Sequence, residues 1–257
     1  MKKNPAFTII YEDETIIAVN KAAGISVGGD RWDDSKERLD QLIAGIMAED
    51  RLFTVHRIDR DTSGLVVFAK NEKTHRLLSL AFEGRQVEKR YIAVAQGRPP
   101  WDETVCDLPL LPNGNKRHLT IIDKYQGKKS LTRFRLLGSA GNYSVLEARP
   151  ETGRTHQIRV HAAALGFPLV CDSLYGNGKP ALLSSFKRNW RGDPLEEKPL
   201  LARLGLHAVE LTLTVPFGAS AGANRLSAPL PRDMAALIKQ MEKQAGFSIS
   251  ESNSPRS

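Results

Sequence analysis

The run from His56 to Lys70, HRIDRDTSGLVVFAK, constrains this chain more than any other stretch. It passes abruptly from a basic and polar segment (Arg57, Arg60, Thr62, Ser63, Gly64) into an apolar, β-rich one, Leu65 to Ala69. That change of character predicts a loop feeding a buried strand. Asp59 sits in the loop, with two arginines and a histidine within three residues. A carboxylate so placed stays ionised and suits charge stabilisation or nucleophilic attack better than acid catalysis. Gly64 would let the backbone approach a ligand or leave the loop at an unusual dihedral, while Thr62 and Ser63 can bond the loop to itself. The same quartet can also be a surface turn with an ordinary ion pair.

The run resembles the first signature of the RluA-type pseudouridine synthases, approximately HRLDxxTSGLLVFAK, with Ile58 and Val66 where leucine is usual. The resemblance implies that Asp59 is the essential catalytic residue. It also implies that Arg57 fills the gap left by an extruded nucleotide, with His56, Arg60 and Thr62 on the RNA side.

The chain has 257 residues, 41% hydrophobic and 26% charged, which suffices for a sizeable core. Lysine and arginine number 37 against 29 acids, a formal charge of +8 that favours a polyanionic partner. RNA ranks above membrane because no apolar run approaches the roughly 20 residues of a spanning helix. Cys106 and Cys171 lie far apart and form no CxxC pair, so neither a disulfide framework nor a zinc site is expected and a reducing cytoplasm is the default.

Thr8–Tyr11 and Thr15–Val19, separated by Glu12-Asp13-Glu14, predict a hairpin. The stretch that follows is similar to the family's NKPAG, with Ala22 for proline; the small RNA-binding module often found before it is not expected here. Residues 34–48 predict a helix burying Leu39, Leu42, Ile43, Ile46 and Met47. A second helix is expected from an Asn71 cap to about Phe82, with Leu77, Leu78, Ala81 and Phe82 inward and Gly84 closing it. VEKRYIAVAQG, residues 87–97, predicts a strand on which Tyr91 is core or sheet packing. It is also similar to the second signature, KxYxAxVxG, through Lys89, Tyr91, Ala93 and Gly97, and that resemblance implies that Tyr91 lies against the target base and Lys89 near RNA.

Between residues 99 and 141, charged loops alternate with short β-like runs; their lysines form either a phosphate-contacting rim or ordinary solvated loops. Strand Tyr143–Ala148 leads to RPETGRTHQIRVHAAALGFP, where Thr155 is expected to cap a helix stopped by Gly166 and Pro168. On spacing alone a basic surface helix is the preferred reading. His156 and His161 lack the HExxH pattern and suggest no metal site. The segment resembles the third signature, PxTGRTHQIRxH, which implies that Arg159 pairs with Asp59 and that Arg154 and His156 face RNA. CDSLYG, residues 171–176, is similar to GDxxYG with Cys171 in place of glycine, leaving the local backbone geometry open. Residues 183–204 are expected to form a loop on which Trp190 either stacks a base or covers the loop. A strand is expected over Leu206–Val215, with Val209, Leu211, Leu213 and Val215 on one face. A closing helix, Pro229–Met241, should turn Met234, Leu237, Ile238 and Met241 inward.

The fold so implied is mixed α/β, a bent and largely antiparallel sheet flanked by helices with a central cleft. Residues 1–6 would be a tail, 7–244 the catalytic domain and 245–257 a disordered end. The implied activity is isomerisation of uridine to pseudouridine in structured ribosomal or transfer RNA after base flipping, by a monomer needing no cofactor. Attack on ribose C1′, attack on uracil C6 and removal of a ribose proton are all open to Asp59. Arg159 would hold the carboxylate ionised, and Tyr91 would pack on uracil and assist loss of the C5 proton. The alternative is an RNA-binding or ribosome-assembly protein without catalysis. A zinc-dependent base deaminase is disfavoured by the cysteine pattern.

Overall fold

The computed structural model describes residues 5–29, 37–47, 51–115, 119–213 and 224–249. Among them the fold is mixed α/β, with a large mixed sheet and four α-helices, in agreement with the fold class expected from sequence. The chain divides into two compact units, Met1–Arg90 with His207–Pro229 and Tyr91–Leu206 with Leu230–Ser257. Elements are numbered along the chain.

The first unit contains β1 (Phe7–Glu12), β2 (Ile16–Lys21), α1 (Leu39–Met47), β3 (Phe53–Thr54), β4 (Ser63–Ala69), α2 (Glu72–Glu83) and the start of β5 (Val87–Gln96). It is completed by β11 (Leu206–Leu213), from His207 on, and β12 (Arg225–Ser227). The expected hairpin is β1–β2, and its turn is set by Asp13. One carboxylate oxygen accepts the amides of Thr15 and Ile16 and the Thr15 hydroxyl, which satisfies the backbone groups that the reversal would strand.

β4 follows the Asp59 loop and is buried at every residue, as its continuous apolar run predicted. It pairs antiparallel with β2 and β3 and parallel with β11, and β11 pairs antiparallel with β12. Ile16, Ala18, Leu65, Val67, Leu78, Ala81, Leu211 and Leu213 pack into one core. Asn71 caps α2 as expected, its Oδ1 accepting the Thr74 amide at 2.9 Å. Two expected core residues point outward: Ile46 on α1 and Leu77 on α2 are half or more exposed. Helical spacing could not reject them, because each lies at the margin of an apolar stripe wider than the contact it makes.

The second unit contains the rest of β5, then β6 (Glu103–Cys106), β7 (Leu110–Leu111), β8 (Ile121–Ile122), β9 (Thr132–Ala140), β10 (Tyr143–Pro150), α3 (Gln157–Ala164) and α4 (Arg232–Ala245). Strands run β5-β10-β9-β6, all antiparallel, and β7–β8 form a separate small ribbon. Residues 183–204 are irregular apart from one 3₁₀ turn, Leu183–Ser185, and Trp190 lies half-buried over Gly192. On α4 the four expected residues, Met234, Leu237, Ile238 and Met241, are the buried ones. The expectations for residues 34–36 and 48, for Lys116 and Arg117, for Val215 and for the tail beyond Ile249 lie outside the described residues.

Gly64 has φ +121, and a Cβ there would stand 2.2 Å from the Ala208 carbonyl oxygen and 2.5 Å from its nitrogen. The close approach anticipated at this glycine is therefore to the backbone of β11, at the parallel register Ala208↔Gly64. No side chain fits without separating the two strands. Gly64→Ala should lower the urea midpoint by the equivalent of about 3 kcal/mol or more, since backbone strain and overpacking combine. A loss under about 1 kcal/mol would show that the strands can spread.

Candidate active site

In the first unit, Asp59 is half-buried at a turn closed by the Thr62 amide on the Asp59 carbonyl, 3.1 Å. The turn is held from outside by Lys21, whose side chain is fully buried at the end of β2. Its ammonium donates to the carbonyls of Ala22, Ile25 and Arg60, each at 2.9 Å. The Gly24 amide also donates to the Arg60 carbonyl, and Arg60 Nε returns a bond to the Gly24 carbonyl. A buried ammonium is tolerated only when its donors are satisfied, so the lysine fixes the backbone one residue after Asp59. Spacing gave no sign of this role, because the contact spans 39 residues.

Of the residues expected on the RNA side of this unit, Arg57 is exposed, while Arg60 uses its side chain on the loop. Thr62 is buried, and its hydroxyl has no hydrogen-bond partner among the described residues. Lys89 is half-buried, and burial together with Arg85 holds its ammonium below the usual lysine range. His56 accepts the Val67 amide at Nε2, 3.0 Å, and stacks on Phe82 with ring centroids 4.5 Å apart. Burial, reinforced by the Lys89 charge, pushes its pKa down to about 3. The ring is neutral, protonated on Nδ1, and ties the Asp59 loop to β4.

In the second unit, Tyr91 lies on β5 opposite Ala148 of β10 and packs half-buried against the core of Ala93, Leu146, Ile158 and Leu206. Arg159, on α3, is 3% exposed, which rules out a surface helix. Asp172 grips it with two bonds of 2.8 Å, from Nε and from one Nη. The guanidinium also lies over the Tyr175 ring, with Cζ 5.2 Å from the ring centroid. Asp172 also accepts the amides of Leu174 and Tyr175, and these bonds with Arg159 hold its carboxyl below the usual range despite burial. The arginine is thus a fixed, oriented cation.

α3 starts at His156, which adopts the left-handed conformation with φ +56 and gives no side-chain cap. The cap expected from Thr155 is not formed. Its place is taken by Gln157, whose Oε1 accepts the Arg154 amide and the Thr152 hydroxyl and whose Nε2 donates to the Leu131 carbonyl and Thr132 Oγ1. His156 Nδ1 lies 2.9 Å from the Tyr175 hydroxyl, and the half-buried Arg154 side chain reaches the Lys129 carbonyl. His161 is buried between the Leu108 carbonyl and Thr132 Oγ1, so it donates from Nε2 and accepts at Nδ1. Cys171 has φ +59, the region where a glycine is unstrained, which answers the question left by that substitution. Among the described residues no group of three or more His, Cys, Asp and Glu could hold a metal ion.

The profile of the RNA pseudouridylate synthase family matches residues 15–164, from the hairpin through α3. The chain belongs to that family. Among its relatives is the ribosomal large subunit pseudouridine synthase D of Zymomonas mobilis, 33% identical over 241 residues, 91% of this chain and 72% of that one. An uncharacterized RNA pseudouridine synthase of the same organism is 37% identical over 205 residues, 77% of this chain and 93% of that one. The chain spans 64% of the length of the synthase D of Neisseria meningitidis. The solved structure of human RNA pseudouridylate synthase domain containing 4 shares the fold, with TM-score 0.68 at 22% identity over 91% of this chain and 92% of that one. Two charged groups held by buried hydrogen bonds are the candidates for chemistry among the described residues. One is the lysine-anchored Asp59 loop, the other the aspartate-clamped Arg159.

Two measurements check these assignments. His56 has a folded pKa near 3 against about 6.5 unfolded, so its neutral state contributes stability in full above pH 6.5 and loses it as pH falls toward 3. Replacing it by Gln, which can still accept the Val67 amide, should flatten the urea-midpoint profile between pH 6.5 and 4.5 by on the order of 2 kcal/mol. Asp172→Ala leaves the Arg159 charge buried without its clamp and should cost about 3–5 kcal/mol by urea unfolding, whereas Asp172→Asn should cost less.

Proposed function

We propose that this chain isomerises specific uridines of ribosomal RNA to pseudouridine, with Asp59 as the carboxylate on which turnover depends. The observation that carries the reading is the construction of the Asp59 loop: a buried ammonium, reciprocal bonds with Gly24 and a glycine pressed against β11 all fix one half-buried acid. Preorganisation of that kind is costly to maintain and has value where charge develops in a transition state. The net charge of +8 and the relatives named for the large ribosomal subunit support ribosomal RNA as the substrate.

In the reaction the bond between ribose C1′ and uracil N1 breaks, the base turns, C5 bonds to C1′, and the proton on C5 leaves while N1 gains one. No atom is added, so neither a cofactor nor an external energy source is called for. The carboxylate of Asp59 offsets the electron demand created as the glycosidic bond breaks. Arg159, gripped by Asp172 with its Cζ over the Tyr175 ring, is the second charged group we assign to the reaction. Tyr91 packs on the uracil and aids the C5 proton transfer. Arg57 occupies the gap left by the flipped nucleotide, with Lys89, Arg154 and His156 contributing to the RNA-facing surface; extrusion costs a few kcal/mol that such contacts must supply. His56 and Thr62 shape the loop from within. Two unpaired cysteines fit a reducing cytoplasm.

The test is tritium release from large-subunit ribosomal RNA labelled at uridine C5. Wild type should release tritium, and Asp59→Asn should fall by about a thousandfold or more while binding the RNA as tightly. Release by both proteins would remove Asp59 from the chemistry. Release by neither, with binding intact, would establish a non-catalytic RNA-binding protein.

A further inference from the structure

Tyr125 is 98% exposed, an aromatic ring standing almost wholly in solvent. It does so on a turn that is unusually well fixed. The Asp123 carboxylate accepts the amides of Tyr125 and Gln126 at 2.8 and 2.9 Å, and the Asp123 carbonyl accepts the Gly127 amide at 3.0 Å. A Cβ on Gly127 would stand 2.2 Å from that carbonyl oxygen and 2.8 Å from Pro109, so only glycine closes the turn. Leu110 and Lys128 exchange both backbone bonds, at 3.0 and 2.8 Å, and the Asp123 amide donates to the Pro109 carbonyl. Lys124, Lys128 and Lys129 lie within four residues of Tyr125 along the chain, all exposed, and the one carboxylate between residues 119 and 131, Asp123, is already engaged with backbone amides.

The ribbon bearing this turn is tied to the segments on both sides of α3. The Thr120 amide donates to the Tyr175 hydroxyl at 3.0 Å, the Arg154 guanidinium reaches the Lys129 carbonyl at 3.4 Å, and Gln157 Nε2 donates to the Leu131 carbonyl at 2.9 Å. The turn is therefore an outward continuation of the segment that carries Arg159.

We propose that the Asp123–Gly127 turn is an RNA-docking element, on which Tyr125 stacks an unpaired base and Lys124, Lys128 and Lys129 engage the flanking phosphates. A tyrosine ring offers a sequence-tolerant face for stacking and has little side-chain freedom to lose. Exposed lysines beside such a ring attract phosphates as point charges, which gives affinity without sequence choice. A ring on a mobile loop would need its backbone ordered on binding; here the Asp123 bonds have ordered the backbone of the turn in advance. The inference rests on the RNA substrate proposed above, and it concerns binding, which can be measured apart from turnover.

The test uses the full-length protein with a twelve-nucleotide oligouridylate and an abasic phosphodeoxyribose oligomer of equal length, read by fluorescence anisotropy across a salt series. Wild type should prefer the oligouridylate. Tyr125→Ala should weaken oligouridylate binding by about 5- to 50-fold, with the abasic oligomer unchanged, and Tyr125→Trp should restore the preference. Exchanging Lys124, Lys128 and Lys129 together for Gln should reduce the salt slope by about 2 with either oligomer. On labelled ribosomal RNA, Tyr125→Ala should raise KM and leave kcat unchanged. If Tyr125→Ala binds oligouridylate like wild type, or the lysine variant keeps its salt slope, the proposal is overturned. Should wild type release no tritium while these binding differences appear, the catalytic reading fails and the docking element stands.

Discussion

The arrangement in the first unit depends on one buried ammonium. Lys21 sits at the end of β2 with no exposed surface, and its ammonium donates hydrogen bonds to three carbonyls. Two of those carbonyls belong to the chain just after β2, and the third is that of Arg60, beside Asp59. Withdrawing an ammonium from water is costly, and the cost is offset only while all three carbonyls hold their places. The ammonium and the loop therefore fix one another, and β4 leaves the loop at a point where Gly64 touches the backbone of β11. An acid on a loop built in this way has its position set by the sheet.

The second unit treats its arginine similarly, by different chemistry. Arg159 is as buried as a core leucine, yet its charge is balanced by a bidentate carboxylate and its flat face rests on an aromatic ring. A guanidinium so gripped keeps its plane, which a lysine could not do. Gln157, two residues earlier, spends all its hydrogen-bonding capacity on Leu131, Thr132, Thr152 and Arg154, and so fixes where α3 begins. The side chains at the centre, Gln157, Arg159 and Asp172, are buried with their polar atoms bonded, the condition under which a polar network rigidifies a site.

Much of this was legible beforehand where the signal was local. The β1–β2 hairpin, the Asn71 cap and the four inward residues of α4 follow from turn chemistry and periodicity, and the structure has them as read. Ile46 and Leu77 were misplaced because an apolar stripe does not say how wide its partner is. Thr155 was misread as a cap because His156 takes a left-handed conformation that a neighbouring glutamine supports. The resemblance put His56 on the RNA side; burial and the Val67 amide make it a neutral strut of the loop. Asp172 and Tyr175 lay in plain view in CDSLYG, but nothing in that stretch says which residue they hold.

By itself the sequence determined which segments become strand or helix, where the chemically distinctive side chains lie, and that a basic mixed α/β chain of a recognisable family would result. Those are properties of short windows, governed by backbone sterics and side-chain patterning over a few residues. Only the tertiary structure decided the partners: Lys21 with Arg60, Ser63 with His207, Arg159 with Asp172, Gln157 with Leu131. Such pairs are separated by 13 to 144 residues and exist because a buried donor or charge must find an acceptor within about 3 Å, a condition written in space and not in chain order.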